Sequence, residues 1–210
     1  VGLDSQLDLA GLAQLGGEGV SLLMADSTGA ERPGFTPPER IVEDTFTRIF
    51  AEAPGRVIVA TFASLLSRVQ QVIDVSVRHN RKVAVEGRSM VDNVTMAQEM
   101  GYLHIPPDTL IDIRKANQLP PSRVTIIATG SQGEPRAALA RMAAGTNRQI
   151  EIRPDDTIIV SAQTIPGNEE MVNRIINQLI QRGANVIYGE IAQVHVSGHG
   201  GQEDQKLLIR

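Results

Sequence analysis

Two of the four histidines in this 210-residue chain, His195 and His199, lie four positions apart in the sequence HVSGHGG. On one face of a helix this spacing could bind zinc. The β-branched residues ahead of the glycines instead predict a strand that runs into a turn, so the helical metal geometry does not apply. A lone pair also falls short of the roughly three or four ligands that a zinc site needs. On these residues alone, a structural, hydrogen-bonded role is favoured for each histidine over a catalytic one.

Asp26 is the second candidate, and it follows the apolar run SLLMA (21–25), which predicts a strand. An Asp followed by Ser27 and Thr28 is typical of an Asx turn or a helix cap. The same carboxylate could instead orient a neighbouring imidazole or a metal-bound water. The local pattern leaves both interpretations open.

Small polar and basic residues follow four further predicted strands, at the point where each strand ends. Because the carboxyl ends of parallel strands form the ligand crevice of an open α/β sheet, these residues are expected to converge on one edge. Backbone N–H groups of glycine-rich turns and helix N-termini would face an anion there, with phosphate the natural candidate. One such loop is explained by chain reversal and capping alone, whereas four together favour a phosphate-rich ligand. The residues are Ser64 with Arg68; Gly87, Arg88 and Ser89; Gly130, Ser131, Gln132 and Gly133; and Ser161, Gly167 and Asn168.

The elements that would position these loops alternate between strands and helices over residues 40–190. Strands are predicted at 56–61, 82–86, 123–129, 157–162 and 185–189, and helical periodicity occupies most of the sequence between them. The pattern predicts an α/β fold with a doubly wound, mainly parallel sheet and helices on both faces. The two ends fit this repeat less well, although QEDQKLLIR predicts the start of a helix.

Composition excludes several classes of protein. The formal net charge of −4 leaves no whole-chain electrostatic footprint for nucleic acid, and 3% aromatic residues without Trp argue against a base-stacking platform. Without cysteine, neither disulfides nor thiolate metal sites are possible. No apolar run approaches the roughly 20 residues of a membrane helix, and no signal peptide is recognised at the start of the sequence.

Taken in order, several strings of the chain resemble the ribonuclease J family of metallo-β-lactamase, β-CASP nucleases. They are ADSTGAERPGFTPPE, RVIVATFASLLSRVQQVID, VEGRSM, GYLHIP, LPPSRVTIIATGSQGEPRAALARMA, SAQTIPGNE, GANVIYG and VHVSGHGGQED. TGSQGEP together with HVSGH is the most specific part. The resemblance implies a β-CASP domain at 36–190, with short strands and other pieces of a metallo-β-lactamase domain at 1–35 and 191–210.

The resemblance also implies roles for individual residues. Asp26 and His199 correspond to catalytic residues, with His199 acting at the leaving oxygen and Asp26 holding the imidazole. RNA phosphates, including a 5′-monophosphate, would contact the strand-end loops and the HVSGH segment. The implied RNA-binding residues are Ser64, Arg88, Ser89, Ser131, Gln132, Gly133, Ser197 and Gly198. His195 belongs to the same string but receives no role.

For a full-length relative, the resemblance implies a metal-dependent RNA phosphodiester hydrolase. It would be a 5′-to-3′ exonuclease, with endonuclease action left open, in the cytoplasm. Two divalent ions, usually zinc, would activate the attacking water, and the protein would form homodimers or homotetramers. The metal-ligand motifs of the family are not found in this sequence. The chain alone is therefore expected to bind no catalytic metal and to leave RNA uncleaved, and Gly200 and Gly201 are expected to loosen the turn after His199.

Two alternatives remain beside this interpretation. One is a stand-alone α/β module that binds a nucleotide or sugar phosphate in a deep pocket, with structural histidines. The other is an assembly domain with a self-complementary apolar patch.

Overall fold

The computed structural model describes residues 8–209, so residues 1–7 and 210, at the outer ends of the predicted flanking segments, lie outside the described residues. The chain divides into two compact units, residues 40–195 and residues 1–39 together with 196–210. The helices are α1 (Leu9–Glu18), α2 (Arg40–Glu52), α3 (Leu66–Arg78), α4 (Arg88–Glu99), α5 (Ala138–Ala144), α6 (Glu169–Gln181) and α7 (Gln202–Ile209). The strands are β1 (Val57–Ala60), β2 (Lys82–Glu86), β3 (Leu110–Ile111), β4 (Val124–Ala128), β5 (Thr157–Val160) and β6 (Asn185–Ile187), and short 3₁₀ helices occupy Ile113–Gln118 and Pro121–Arg123.

The larger unit is built on one six-stranded parallel sheet with the order β3-β2-β4-β1-β5-β6. The central strands β1, β4 and β5 are continuous apolar runs of Val, Ile, Ala and Thr, and every residue in them is buried. Burial on both faces requires such runs, whereas a sheet with one solvated face would alternate apolar and polar residues. The predicted α/β class and the predicted parallel sheet are confirmed.

The crossover helices lie on opposite faces of this sheet. The chain runs from β1 through α3 toward the β3 edge, and from β4 through α5 toward the β6 edge. Because parallel crossovers are right-handed, opposite directions of travel put their helices on opposite faces. The packing agrees, since α2 packs on α3 and α5 packs on α6.

A buried ion pair joins the amino ends of β1 and β5. Arg56 and Asp156, each 1% exposed, form two hydrogen bonds, from Nε to Oδ1 at 2.8 Å and from Nη2 to Oδ2 at 2.6 Å. The same guanidinium also donates to the Glu151 carbonyl and to the Asn117 side chain. These contacts tie the sheet together at the end opposite the strand-end loops.

The smaller unit contains α1, α7 and connecting loops, and its described residues, 8–39 and 196–209, include no β-strand. Neither residues 21–25 nor residues 193–199 form a strand, so the predictions of a strand at 21–25 and of a strand leading into HVSGHGG are wrong for this structure. A strand persists only when a neighbour accepts its ladder hydrogen bonds. The 21–25 segment pairs with no strand among the described residues, and Leu22 is 74% and Met24 86% exposed. The predicted C-terminal helix is confirmed as α7.

None of the helices within residues 8–209 is both long enough and apolar enough to span a membrane.

Candidate functional site

Loops following β1 and β4 flank the point where the winding of the sheet changes direction. These two strands are neighbours, but their connections leave toward opposite edges on opposite faces. The loops after them must therefore diverge, which opens a crevice at the carboxyl ends of the strands. Chain topology alone places a ligand pocket at this position.

A pocket of about 320 Å³ occupies this switch point. Three residues predicted from separate loops, Ser64, Ser89 and Ser131, line it together. Hydroxyl, amide and backbone groups dominate its wall, and no Lys or Arg is among the described residues that line it. The complete lining is Thr61, Phe62, Ala63, Ser64, Ser89, Asn93, Thr129, Gly130, Ser131 and Glu134.

Local backbone geometry brings the β2 and β4 loops close to each other. Gly87, which precedes α4, has a φ of 106°, and a Cβ there would lie 2.4 Å from the Thr129 hydroxyl. Only glycine permits that conformation and that approach together. Arg88 and Ser89 follow as the first residues of α4, and both are exposed. Arg88 is thus an exposed cation at the start of α4, although it does not line the pocket itself.

Gln132 is placed differently from the other predicted binding residues. It is buried, and its side-chain amide donates to the Gln163 carbonyl at 2.9 Å and accepts from the Ile165 N–H at 2.8 Å. Its neighbour Gly133 packs against Met171 of α6. In this geometry Gln132 joins the β4 loop to the β5 loop, and Gly133 holds the β4 loop against α6. Their predicted contacts with RNA stay predictions.

Arg68 and Ser161 do not contribute to an exposed phosphate site, contrary to the expectation that they converge there with the other polar residues. Both are fully buried. Arg68 donates through Nη1 to the Val194 carbonyl at 2.7 Å, and the Ser161 hydroxyl donates to the same carbonyl at 2.6 Å. Arg68 also donates to Ser161 and to Gln71. Their polar groups anchor the chain at Val194 within the larger unit.

The second arrangement lies in the smaller unit, where Asp26 and His199 are in contact. Oδ2 of Asp26 lies 2.7 Å from Nδ1 of His199, and each side chain is about half exposed. Oδ1 of Asp26 accepts from the Thr28 hydroxyl at 2.6 Å and from the Thr28 N–H at 3.0 Å. The Asx turn and the carboxylate–imidazole contact, posed as alternatives from the sequence, occur together because each uses a different carboxylate oxygen.

The hydrogen bonds from Thr28, and after them the contact with His199, lower the pKa of Asp26 from 3.8 to about 2. The carboxylate is therefore ionised at neutral pH. It fixes the orientation of the imidazole through the contact with Nδ1. With Nδ1 turned to Asp26, Nε2 is the ring atom that can give or take a proton.

Ser197 and Gly198, the remaining predicted phosphate contacts, lie immediately before His199. The Ser197 Oγ accepts from the His199 N–H at 3.2 Å, and Gly198 is exposed. His195 is a half-buried residue at the end of the larger unit.

Comparison with known proteins identifies the family. The profile described as "Ribonuclease J, beta-CASP domain" matches residues 54–179, more than half of the chain. The chain belongs to the ribonuclease J β-CASP family.

Proteins named ribonuclease J match almost the whole chain. The one from Thermus thermophilus is 48% identical over 201 residues, which cover 96% of this chain and 35% of the relative. That from Helicobacter pylori strain J99 is 46% identical over 203 residues, covering 97% and 29%. That from Mycolicibacterium smegmatis is 49% identical over 192 residues, covering 91% and 34%. The chain therefore spans about a third of the length of these relatives.

Sequence reasoning about the ribonuclease J strings missed several residues around both arrangements. Thr61 and Thr129 are the last residues of the predicted strands 56–61 and 123–129, so their position at the sheet edge was a usable signal. Asn93 lies four residues after Ser89 on α4, which puts both on one helix face. In the smaller unit, Arg32 and Thr36 contact the main chain of His199. No local sequence pattern could predict these contacts, because Arg32 and Thr36 are each more than 160 positions away from His199 in the sequence.

Proposed function

We propose that this chain is the β-CASP part of a metal-dependent ribonuclease J that hydrolyses RNA phosphodiester bonds, acting as a 5′-to-3′ exonuclease, with endonuclease action as a further mode. Membership of the family and the length of the relatives support this proposal. The cytoplasmic location expected for such an enzyme stays a prediction.

The Asp26–His199 pair is the observation that carries the proposal. Cleavage of a phosphodiester leaves an alkoxide oxygen that must be protonated or stabilised. A half-exposed imidazole whose orientation is fixed by an ionised carboxylate can supply that proton through Nε2. The role of Asp26 is to hold the ring in this orientation.

RNA is the proposed partner of the strand-end loops. Ser64, Ser89 and Ser131 present hydroxyl groups to the switch-point pocket, and Arg88 adds an exposed cation at the start of α4. Hydroxyl and backbone N–H donors hold phosphate and sugar groups without requiring a strongly basic protein, which agrees with the net charge of −4.

The two zinc ions proposed for the full-length enzyme do not find a site among the described residues of this chain. Within residues 8–209, no cluster of three or more His, Asp or Glu side chains could hold a metal ion. We propose that Asp26 and His199 contribute only orientation and proton transfer, and that other residues of the enzyme hold the activated water. The family is expected to supply the metal ligands from its metallo-β-lactamase domain.

Exposed apolar side chains of the smaller unit support a further domain as partner. Leu22, Met24 and Ile209 are among them, and Ile209 is 72% exposed. We propose that these side chains form one patch, since contiguous apolar surface usually marks an interface. We propose that the metallo-β-lactamase domain covers this surface, with residues 1–35 and 191–210 belonging to it. Homodimers or homotetramers are the proposed assembly of the whole enzyme.

The test is a nuclease assay in which this chain replaces the corresponding segment of the 48% identical Thermus protein. We expect cleavage of a 5′-monophosphorylated RNA that requires added zinc, manganese or magnesium. His199→Ala should lower kcat by about 10²–10⁴-fold, since general acid catalysis contributes about that much. The matched control is His104→Ala, because His104 is an exposed histidine of the larger unit. Full activity of His199→Ala, or cleavage that survives chelation, would refute the proposal.

The switch-point pocket also favours a second candidate function, a module that binds a free nucleotide. A volume of about 320 Å³ is enough for one nucleoside monophosphate. Calorimetry with a mononucleotide and with a short RNA separates the two functions. Equal affinity for both ligands would favour the module, and much tighter binding of the RNA would favour the nuclease.

A further inference from the structure

The main-chain carbonyls of both Asp26 and His199 are held by side chains from elsewhere in the smaller unit. The Gln205 amide donates to the Asp26 carbonyl at 2.6 Å. The Arg32 guanidinium donates to the His199 carbonyl, and the Thr36 hydroxyl donates to the same oxygen at 3.1 Å. Each member of the pair is thus fixed at its backbone as well as through its side chain.

Thr36 also holds the turn that follows His199. Its Oγ1 accepts from the Gly201 N–H at 2.8 Å, so this one hydroxyl both donates and accepts. Oδ2 of Asp204 lies 2.8 Å from the N–H groups of Gly201 and Thr36 and accepts from both. Chiefly because of the Thr36 N–H, the pKa of Asp204 is lowered, which keeps this carboxylate ionised.

Close backbone packing restricts the same turn. A Cβ on Gly29 would lie 2.2 Å from the Gly200 carbonyl oxygen, and a Cβ on Gly201 would lie 2.6 Å from the Gly34 carbonyl oxygen. The N–H groups of Gln202 and Glu203, in the first turn of α7, donate to the carbonyls of Arg32 and Gly34. The two glycines that were expected to loosen the turn therefore lie in a segment tied by several hydrogen bonds.

We propose that Arg32, Thr36 and Gln205 are positioning residues for the Asp26–His199 pair. This inference rests on the proposed function, in which His199 transfers a proton. With the carbonyls fixed, the imidazole can move only by its own χ1 and χ2 rotations, and the contact with Asp26 restricts those. Catalytic groups need placement to about half an ångström, and a misplacement of about 1 Å can cost about 100-fold in rate.

The first experiment is a titration of the Asp26 carboxyl by ¹³C NMR in this chain. Thr36→Val removes both hydrogen bonds of the hydroxyl at nearly unchanged volume, and Thr36→Ser keeps them. Thr36→Val should release the His199 main chain, so that the imidazole loses its contact with Asp26. The pKa of Asp26 should then rise from about 2, by as much as His199→Ala raises it. Thr47→Val is the matched control, because the Thr47 hydroxyl donates only within α2, to the Glu43 carbonyl.

The second experiment measures RNA cleavage by the same variants in the Thermus protein carrying this chain. Thr36→Val and Arg32→Met should lower kcat about 10- to 100-fold with little change in KM, while Thr36→Ser and Thr47→Val stay near the parent. If Thr36→Val does not fold, Arg32→Met tests on its own whether these side chains position the Asp26–His199 pair. Variants of Thr36 and Arg32 that keep both the Asp26 pKa and kcat would overturn the inference. If the parent chimera cuts no RNA, the proposed function fails, but the titration still decides whether these residues hold the pair.

Discussion

The two carboxylate oxygens of Asp26 contact different residues, Thr28 and His199. The contributions of these two residues to the pKa of Asp26 can be separated. Thr28 lowers the pKa more than His199 does, since its hydroxyl and its N–H both donate to Oδ1. Thr28→Val removes the hydroxyl and leaves the backbone bond. We expect the pKa of Asp26 to rise from about 2 part of the way toward 3.8.

The pH dependence of folding follows from the sign of this shift. A carboxyl whose pKa is lower in the folded state contributes stability that is present above its unfolded pKa near 3.8 and is lost as pH falls through about 2. In Thr28→Val this contribution shrinks, so unfolding in acid should begin at a higher pH. Carboxyl NMR titration and urea unfolding between pH 2 and 5 test it. Ser27→Ala is the control, and an equal pKa shift in both variants would contradict the assignment to Thr28.

Residue roles could be predicted only where the partner lies near in the sequence or belongs to a specific string. The Asx turn of Asp26 with Thr28 spans two residues and was one of the two interpretations that the sequence offered. The burial of Arg68 was not, because its acceptor, the Val194 carbonyl, is 126 positions away. Gln132 is a similar case, since the groups that engage its amide lie 31 and 33 positions further on.

At the scale of elements, the apolar runs were sufficient to predict the strands of the sheet. Strands that are buried on both faces are apolar along their whole length, and this pattern is easily recognised in a sequence. The same reasoning failed for 21–25, where an apolar run finds no ladder partner among the described residues. A strand depends on its neighbour, whereas the helix at Gln202–Ile209 satisfies its own backbone. Strand predictions near the ends of the chain are therefore the weaker ones.

The loop after β4 offers a test of how tightly the elements around the switch point are joined. Gly133 has a φ of 80°, and a Cβ there would lie 2.7 Å from the backbone of Met171 in α6. Gly167 has a φ of 96° with no heavy atom within 4 Å of its Cβ position.

Alanine at either position is strained by the positive φ, at a cost of about 1–2 kcal/mol. Gly133→Ala must also push the loop away from α6, so it should lower the free energy of unfolding by at least about 1 kcal/mol more than Gly167→Ala. Urea unfolding of the two variants gives the difference. Equal losses would mean that the loop can shift without disturbing α6.

For the molecule as a whole, the net charge of −4 limits how strongly the proposed RNA ligand can be attracted. Each phosphate neutralised on a single strand contributes about −0.7 to the slope of log K against log salt concentration. Arg88 is the one cation among the proposed RNA-binding residues, and the pocket is lined by neutral donors and Glu134. The chain should therefore bind single-stranded RNA weakly, with a slope of about −0.7.

Fluorescence anisotropy with a labelled RNA, over a series of salt concentrations, measures this slope directly. Arg88→Ala should bring it close to zero while the hydroxyl and backbone contacts retain part of the affinity. Arg174→Ala is the matched control, since Arg174 is an exposed arginine on α6 that already pairs with Glu170. A slope of about −3 or steeper would show that RNA follows a basic track elsewhere on the surface, and the switch-point pocket would then not be its main binding site.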